Sequence, residues 1–194
     1  MRIFVAGASG VIGIRLVPLL VADGHDVAGM TRTPAKAEGL RELGAQPVVC
    51  DVFDAPALEQ AVVAFGPEIV IHQLTDLPDD EARIADFGSR NDRVRDEGTG
   101  NLLAAMRAAG ATRILVQSIA WDLGGERGEA TKRFERRVFD AGGVVIQYGQ
   151  LYGPGTYYED EPPSAPRVHV DEAARRTVAL LDSEPGVVQV VETV

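Results

Sequence analysis

Along this chain, short apolar runs alternate with stretches in which apolar residues recur at every third or fourth position. Ile3-Phe4-Val5-Ala6 has the length of a buried strand, and Leu16, Val17, Leu20 and Val21 then fall on one face of a helix. A second strand is predicted at Asp26–Thr31, entered by the turn Asp23-Gly24-His25, and a short helix from Pro34 to just before Gly44. Residues 46–50 form a third strand candidate, residues 56–65 a helix closed by Gly66-Pro67, and residues 68–72 a fourth strand. Residues 76–95 are mostly polar and carry charges of both signs, which predicts a loop leading into a helix over 97–109 with Leu102, Leu103 and Met106 on one face. There follow a strand at 113–118, a charged helix over 126–141 striped by Phe134, Val138 and Phe139, and a strand at Val144–Tyr148. Acidic residues and prolines at 156–166 predict an irregular exposed loop; a short strand (167–170), a helix (171–181) opened by Asp171 and a last strand (187–191) complete the pattern. Strands alternating with helices throughout predict an α/β fold, a single doubly wound parallel sheet covered on both faces, in one domain spanning 1–194.

Within that pattern the first strand-to-helix turn reads Gly7-Ala8-Ser9-Gly10-Val11-Ile12-Gly13. Strand, glycine turn and helix are the context that a dinucleotide-binding turn requires. Gly7 allows a sharp exit from the strand, and Gly10 removes a Cβ where a pyrophosphate must approach the backbone. Gly13 lets the helix pack closely on the strand. The free N–H groups of the first helical turn, Ser9, Val11 and Ile12 among the flanking residues, face the phosphates. The end of the second strand carries Thr31-Arg32-Thr33, with Lys36 on the next turn. An acid there would accept from a ribose 2′-hydroxyl, whereas cations accommodate a 2′-phosphate, so Arg32 and Lys36 favour NADP over NAD. The other reading of these two residues is a pair of solvated cations at the start of a surface helix. Asp51-Val52, ending the third strand, is placed to meet an adenine ring; Asp51 serves equally well as a turn or capping acid.

Composition narrows the function classes. A net charge of −10 argues against a general nucleic-acid or anionic-membrane binder. No apolar stretch approaches the ~20 residues of a membrane span, and the N-terminus reads as a strand rather than a signal peptide, which together predict a cytoplasmic protein. The single Cys50 lies in an apolar run and reads as a small core residue. His25, His72 and His169 are far apart in the chain, so no metal site is expected.

Taken together, the residues resemble the extended and atypical short-chain dehydrogenases/reductases, which include NAD(P)-dependent epimerases and dehydratases. The carriers are the glycine turn, Thr31-Arg32, Asp51-Val52, Glu97-Gly98-Thr99-Gly100-Asn101, Arg113-Ile114-Leu115-Val116-Gln117-Ser118, Tyr152-Gly153-Pro154-Gly155 and Val168-His169-Val170-Asp171. The resemblance implies a Rossmann fold of about seven strands, nicotinamide-side contacts near Ser118 and near residues 148–155, and a homodimer built on the helices that follow the fourth and fifth strands. It also implies a catalytic Ser or Thr after the fifth strand and a Tyr-x-x-x-Lys on the next helix, the lysine lowering the tyrosine pKa and holding the ribose.

Two departures bear on function. Ser118 matches the serine, but four residues before Lys132 stands Gly128, and an alignment on Glu135 pairs Arg127 with Thr131. Neither register supplies the tyrosine. Tyr152 or Tyr148, after the sixth strand, is the substitute acid to be considered, against a packing role beside the cofactor; Trp121 reads as a pocket wall. The substrate segment that relatives insert between the Gly-Pro-Gly loop and the His-Val-Asp strand is reduced to residues 156–167. A small substrate would be held by loops around 76–86, 121–128 and 156–166. The sequence thus predicts an NADP-dependent reductase or epimerase-like enzyme acting on a small carbonyl compound. The alternative is a dinucleotide-binding sensor, accessory subunit or non-redox enzyme.

Overall fold

The computed structural model describes residues 1–78 and 80–192; Asp79, within the first expected substrate loop, lies outside them. Seven strands form one all-parallel sheet: β1 (Arg2–Ala6), β2 (Asp26–Thr31), β3 (Gln46–Val49), β4 (Ile69–His72), β5 (Arg113–Ile119), β6 (Val144–Tyr148) and β9 (Gly186–Val190). Their order across the sheet is β3-β2-β1-β4-β5-β6-β9. The order reverses between β1 and β4, which opens a crevice at their C-terminal ends. Two short strands, β7 (Gln150–Tyr152) and β8 (Arg167–His169), pair as a separate ribbon above that edge.

Because successive strand residues face opposite sides, β1 feeds two cores at once. Ile3 and Val5 pack with Leu16, Val17 and Leu20 of α1 (Gly13–Ala22) and Ala173 and Ala174 of α7 (Val170–Ala179). Phe4 and Ala6 pack on the other face with Leu58 and Val62 of α3 (Ala55–Phe65), Leu102 and Met106 of α5 (Thr99–Ala108), and Phe134 and Val138 of α6 (Gly125–Asp140). Full burial of each large aliphatic or aromatic side chain here stabilises the fold by about 1.5–3 kcal/mol. The short α2 (Ala37–Glu42) follows a 3₁₀ turn at Pro34–Lys36 and buries only Leu40.

The structure differs from the sequence reading mainly at the polar stretch before α5. Residues 81–87 form 3₁₀ turns, and α4 (Gly88–Arg93) runs into α5 through a widened π turn at Val94–Gly98. Only Val94 and Gly98 carry the apolar register there, Gly98 lying against Val52. The other buried positions in α4 and the π turn are Gly88, Asn91 and Arg95, of which the two with side chains are polar, so apolar periodicity misses the helix. Ion pairs hold its outer face, including Arg93 with Glu97 at 2.6 Å.

Candidate functional site

The glycine turn sits at the crevice. Gly7 has φ +88°, and a Cβ there would stand 2.8 Å from the Gln73 carbonyl carbon, where β4 leaves the sheet. A Cβ on Gly13 would lie 2.3 Å from the Gly7 carbonyl oxygen, so α1 can start this close only on glycine. Gly10 differs: its Cβ would meet only the Gly7 oxygen at 3.3 Å, leaving open space over the turn. Among the described residues, the amides of Val11 and Ile12 meet no backbone acceptor. A crevice floored by a glycine backbone and free amides at a helix N-terminus fits a dinucleotide pyrophosphate.

One end of the crevice is cationic. Arg32 Nη2 donates to Asp76 Oδ1 at 3.1 Å, and Arg90 of α4 grips the same carboxylate through Nε (2.9 Å) and Nη2 (3.1 Å). Ser9 Oγ lies 2.9 Å from Thr31 Oγ1, joining the glycine turn to the end of β2. Lys36 is exposed on the 3₁₀ turn. Asp51 accepts from the Phe53 amide, the turn-capping arrangement, while Val52 is buried and its carbonyl accepts from Asn101.

At the other end, Ser118 closes β5 and is buried. Its hydroxyl donates to Glu135 Oε1 of α6 at 2.5 Å, and Gln147 donates to both oxygens of that carboxylate. Beside this trio is a cavity of about 210 Å³ walled by Trp121, Leu123, Gly128, Thr131 and Lys132. Lys132 itself points to Glu129 at 2.9 Å. Thr131 accepts from Arg95 Nη1 at 3.2 Å. Arg95 is buried, its Nε has no partner, and burial lowers its pKa. In the alignment on Glu135, a guanidinium from the π turn therefore reaches Thr131, the residue paired with the lysine position. Arg127, the tyrosine position of the same alignment, packs on Gly88 and lies 3.5 Å from Asp92.

The two tyrosines named by the sequence have committed protons. Thr177 donates to the Ala173 carbonyl, so the buried Tyr148 hydroxyl donates to Thr177 Oγ1 while accepting from Gln73. Burial pushes Tyr148 up to about 12. Tyr152 donates to Glu192, whose hydrogen bond, with some burial, raises the phenol pKa. Its ring meets His169 edge-on at 5.1 Å.

A family model described as NAD(P)H-binding matches residues 7–145, from the first turn glycine to the middle of β6. The chain belongs to this NAD(P)H-binding family. The 3-diazoavenalumate denitrifying reductase of a Streptomyces species is 36% identical, the match covering 95% of this chain and 73% of that protein. UDP-glucose 4-epimerase of Mycolicibacterium smegmatis is 32% identical over 59% of this chain and 37% of that protein. The crystal structure of the Thermus thermophilus UDP-glucose 4-epimerase in complex with NAD superposes with a TM-score of 0.79 at 21% identity, covering 98% of this chain and 78% of that one. The fold is thus that of the extended short-chain dehydrogenases/reductases, and the chain is an NAD(P)H-binding protein of reductase and epimerase-like kinship. No helix among the described residues of this family member is long and apolar enough to cross a membrane.

Several residues at the crevice escaped the sequence reading. Arg15 of α1 donates to Asp171 (2.6 Å), to the Val11 carbonyl and to the Pro154 carbonyl, clipping the Gly-Pro-Gly loop and α7 to the glycine turn. Asp76, Arg90 and Arg95 sit in the polar stretch that lacks apolar periodicity, so only the folded chain brings them together. The loop at 156–166 reaches back over this region: Tyr157 donates to the Pro78 carbonyl and Tyr158 to Glu81.

Proposed function

We propose that this protein is an NADPH-dependent reductase delivering hydride to a small acceptor held beside Ser118 and Trp121. When bound, the reduced dinucleotide supplies the hydride. The glycine turn would hold its pyrophosphate, with Gly7, Ser9, Gly10, Val11, Ile12 and Gly13 lining the contact. Arg32, with Lys36 nearby, would meet a 2′-phosphate, and Asp51-Val52 would border the adenine. Titration of the purified protein is expected to show tighter binding of NADPH than of NADH. A charge-assisted contact of this kind contributes roughly 1.5–3 kcal/mol, so Arg32→Ala should cut the preference about tenfold; equal affinities in the unmutated protein would reject the assignment.

The observation that carries the choice of acceptor is the state of the hydroxyls. Ser118, Tyr148 and Tyr152 each already donate to a protein acceptor, and the Tyr-x-x-x-Lys acid is missing. A carbonyl reduced by hydride needs a proton for its alkoxide. An aryl diazonium carbon does not: hydride forms the new C–H bond as the C–N bond breaks, and the electron pair of the C–N bond leaves with dinitrogen, so the step balances without a proton. The Streptomyces relative is named for a diazo substrate and its denitrification. A carbonyl acceptor is the second reading, favoured by Ser118 standing at the β5 end, where a donor would meet a developing alkoxide.

The test is NADPH consumption with a panel of aryl diazonium salts and of aldehydes and ketones, using cofactor deuterated at its transferable position. The expected result is deuterated arene and dinitrogen in step with NADPH loss. Reduction of carbonyls alone would select the second reading, and no consumption with any acceptor would leave a dinucleotide-binding protein without redox catalysis.

A further inference from the structure

We propose that Arg90, on α4, is a second determinant of cofactor specificity, paired with Arg32 to bind the 2′-phosphate, and that Asp76 is the strut that holds the two guanidiniums side by side. The inference rests on the NADPH reading above and adds to it a residue from an element remote in sequence.

The geometry leaves little freedom. Arg32 Nη2 and Arg90 Nη2 both lie 3.1 Å from the same oxygen, Asp76 Oδ1, so these nitrogens are at most twice that distance apart. Wherever Arg32 meets a ligand, Arg90 is therefore within reach of the same phosphate. Asp76 is nearly buried, with its side chain 9% exposed, whereas those of Arg32 and Arg90 are 56% and 51% exposed. The carboxylate engages the guanidiniums from below and leaves their outer N–H groups to solvent, since each guanidinium carries five donors. Two cations on one carboxylate leave a local charge of one positive in a chain of net charge −10. Arg90 is further fixed by stacking 4.4 Å over the Phe87 ring, and Asp76 by its own amide, which donates to Asn91 Oδ1. Ser9 and Thr31 bring two hydroxyls to the corner where β2 ends beside Arg32. A dianionic phosphate ester finds there fixed positive charge and donors; a bare ribose hydroxyl gains much less.

The experiment is calorimetric titration of the wild type, Arg90→Ala, Asp76→Asn and Asp76→Ala with NADPH and NADH. Adenosine 2′,5′-bisphosphate and AMP serve as probes of the adenosine half alone, and melting curves report the fold. Arg90→Ala should weaken NADPH and the bisphosphate about five- to tenfold, with NADH and AMP unchanged within twofold. Asp76→Asn keeps the shared Oδ1 acceptor and removes a negative charge beside the phosphate, so it should not weaken NADPH, whereas Asp76→Ala removes the strut and should weaken it about as much as Arg90→Ala. If Arg32→Ala weakens NADPH but Arg90→Ala does not, Arg90 is only a structural link and the inference fails, with the NADPH reading intact. If Asp76→Asn weakens NADH more than NADPH, the carboxylate reads a 2′-hydroxyl and the inference fails. A wild type without preference for NADPH would overturn both readings together.

Discussion

Gly10→Val should raise the dissociation constants of both NADPH and NADH by at least a hundredfold and leave the melting temperature nearly unchanged. A Cβ at Gly10 meets only one protein atom, the Gly7 oxygen at 3.3 Å, so the protein itself can accommodate a side chain there with a small adjustment. The isopropyl group would instead fill the space above the turn, between the helix N-terminus and the pyrophosphate. Losing two charge-assisted contacts of roughly 1.5–3 kcal/mol each is enough for that change in affinity. Gly13→Val provides the contrast, because its Cβ would collide with backbone oxygens at 2.3 and 2.5 Å and must unseat α1. Calorimetry with thermal melting separates the two outcomes. Wild-type binding by Gly10→Val would mean that the phosphates do not lie on this turn.

Acid should destabilise the protein from near pH 6.5 downward, chiefly through His72. Burial lowers the pKa of His72 to about 3 from an ordinary value of 6.5. Its Nδ1 accepts from the Leu74 amide, so the neutral ring carries its proton on Nε2, 3.0 Å from Thr99 Oγ1. Below pH 6.5 the unfolded chain binds a proton that the folded chain refuses. Stability therefore falls with falling pH by up to about 1.4 kcal/mol per unit until the folded-state value is reached. Below the ordinary carboxylate range the loss is joined by Glu97 and Glu192, whose pKa values hydrogen bonds from Arg93 and Tyr152 hold down. Urea unfolding at pH 7, 6 and 5 reads the slope. His72→Gln should be less stable at pH 7 but nearly flat across this range, and an equal slope in both proteins would assign the proton uptake elsewhere.

The two effects rest on features of different legibility. Gly7 and Gly13 announce themselves in sequence because each is needed for a local reason, a positive φ or a close approach within a few residues, and Gly10 is legible by its spacing between them. His72 is an ordinary histidine at the end of an apolar run; its lowered pKa follows from complete burial under Thr99, twenty-seven residues away in the chain. Ser118 lies between these cases. Its position at the end of β5 follows from the strand pattern, but its commitment to Glu135 follows from how α6 packs back on the sheet.

By itself the sequence determined the parallel α/β sheet, the dinucleotide turn and the cationic end of β2. Apolar periods of two and of three to four residues, and glycines at a strand-to-helix junction, encode these locally. Only the tertiary structure decided that residues 88–108 run as one helical rod through a π turn, that Arg90 shares Asp76 with Arg32, and that Arg95 reaches Thr131 of α6. Those arrangements depend on polar side chains drawn from separate elements. Polar side chains carry no periodic signature, and their partners are chosen by which strand ends the fold brings to the same edge.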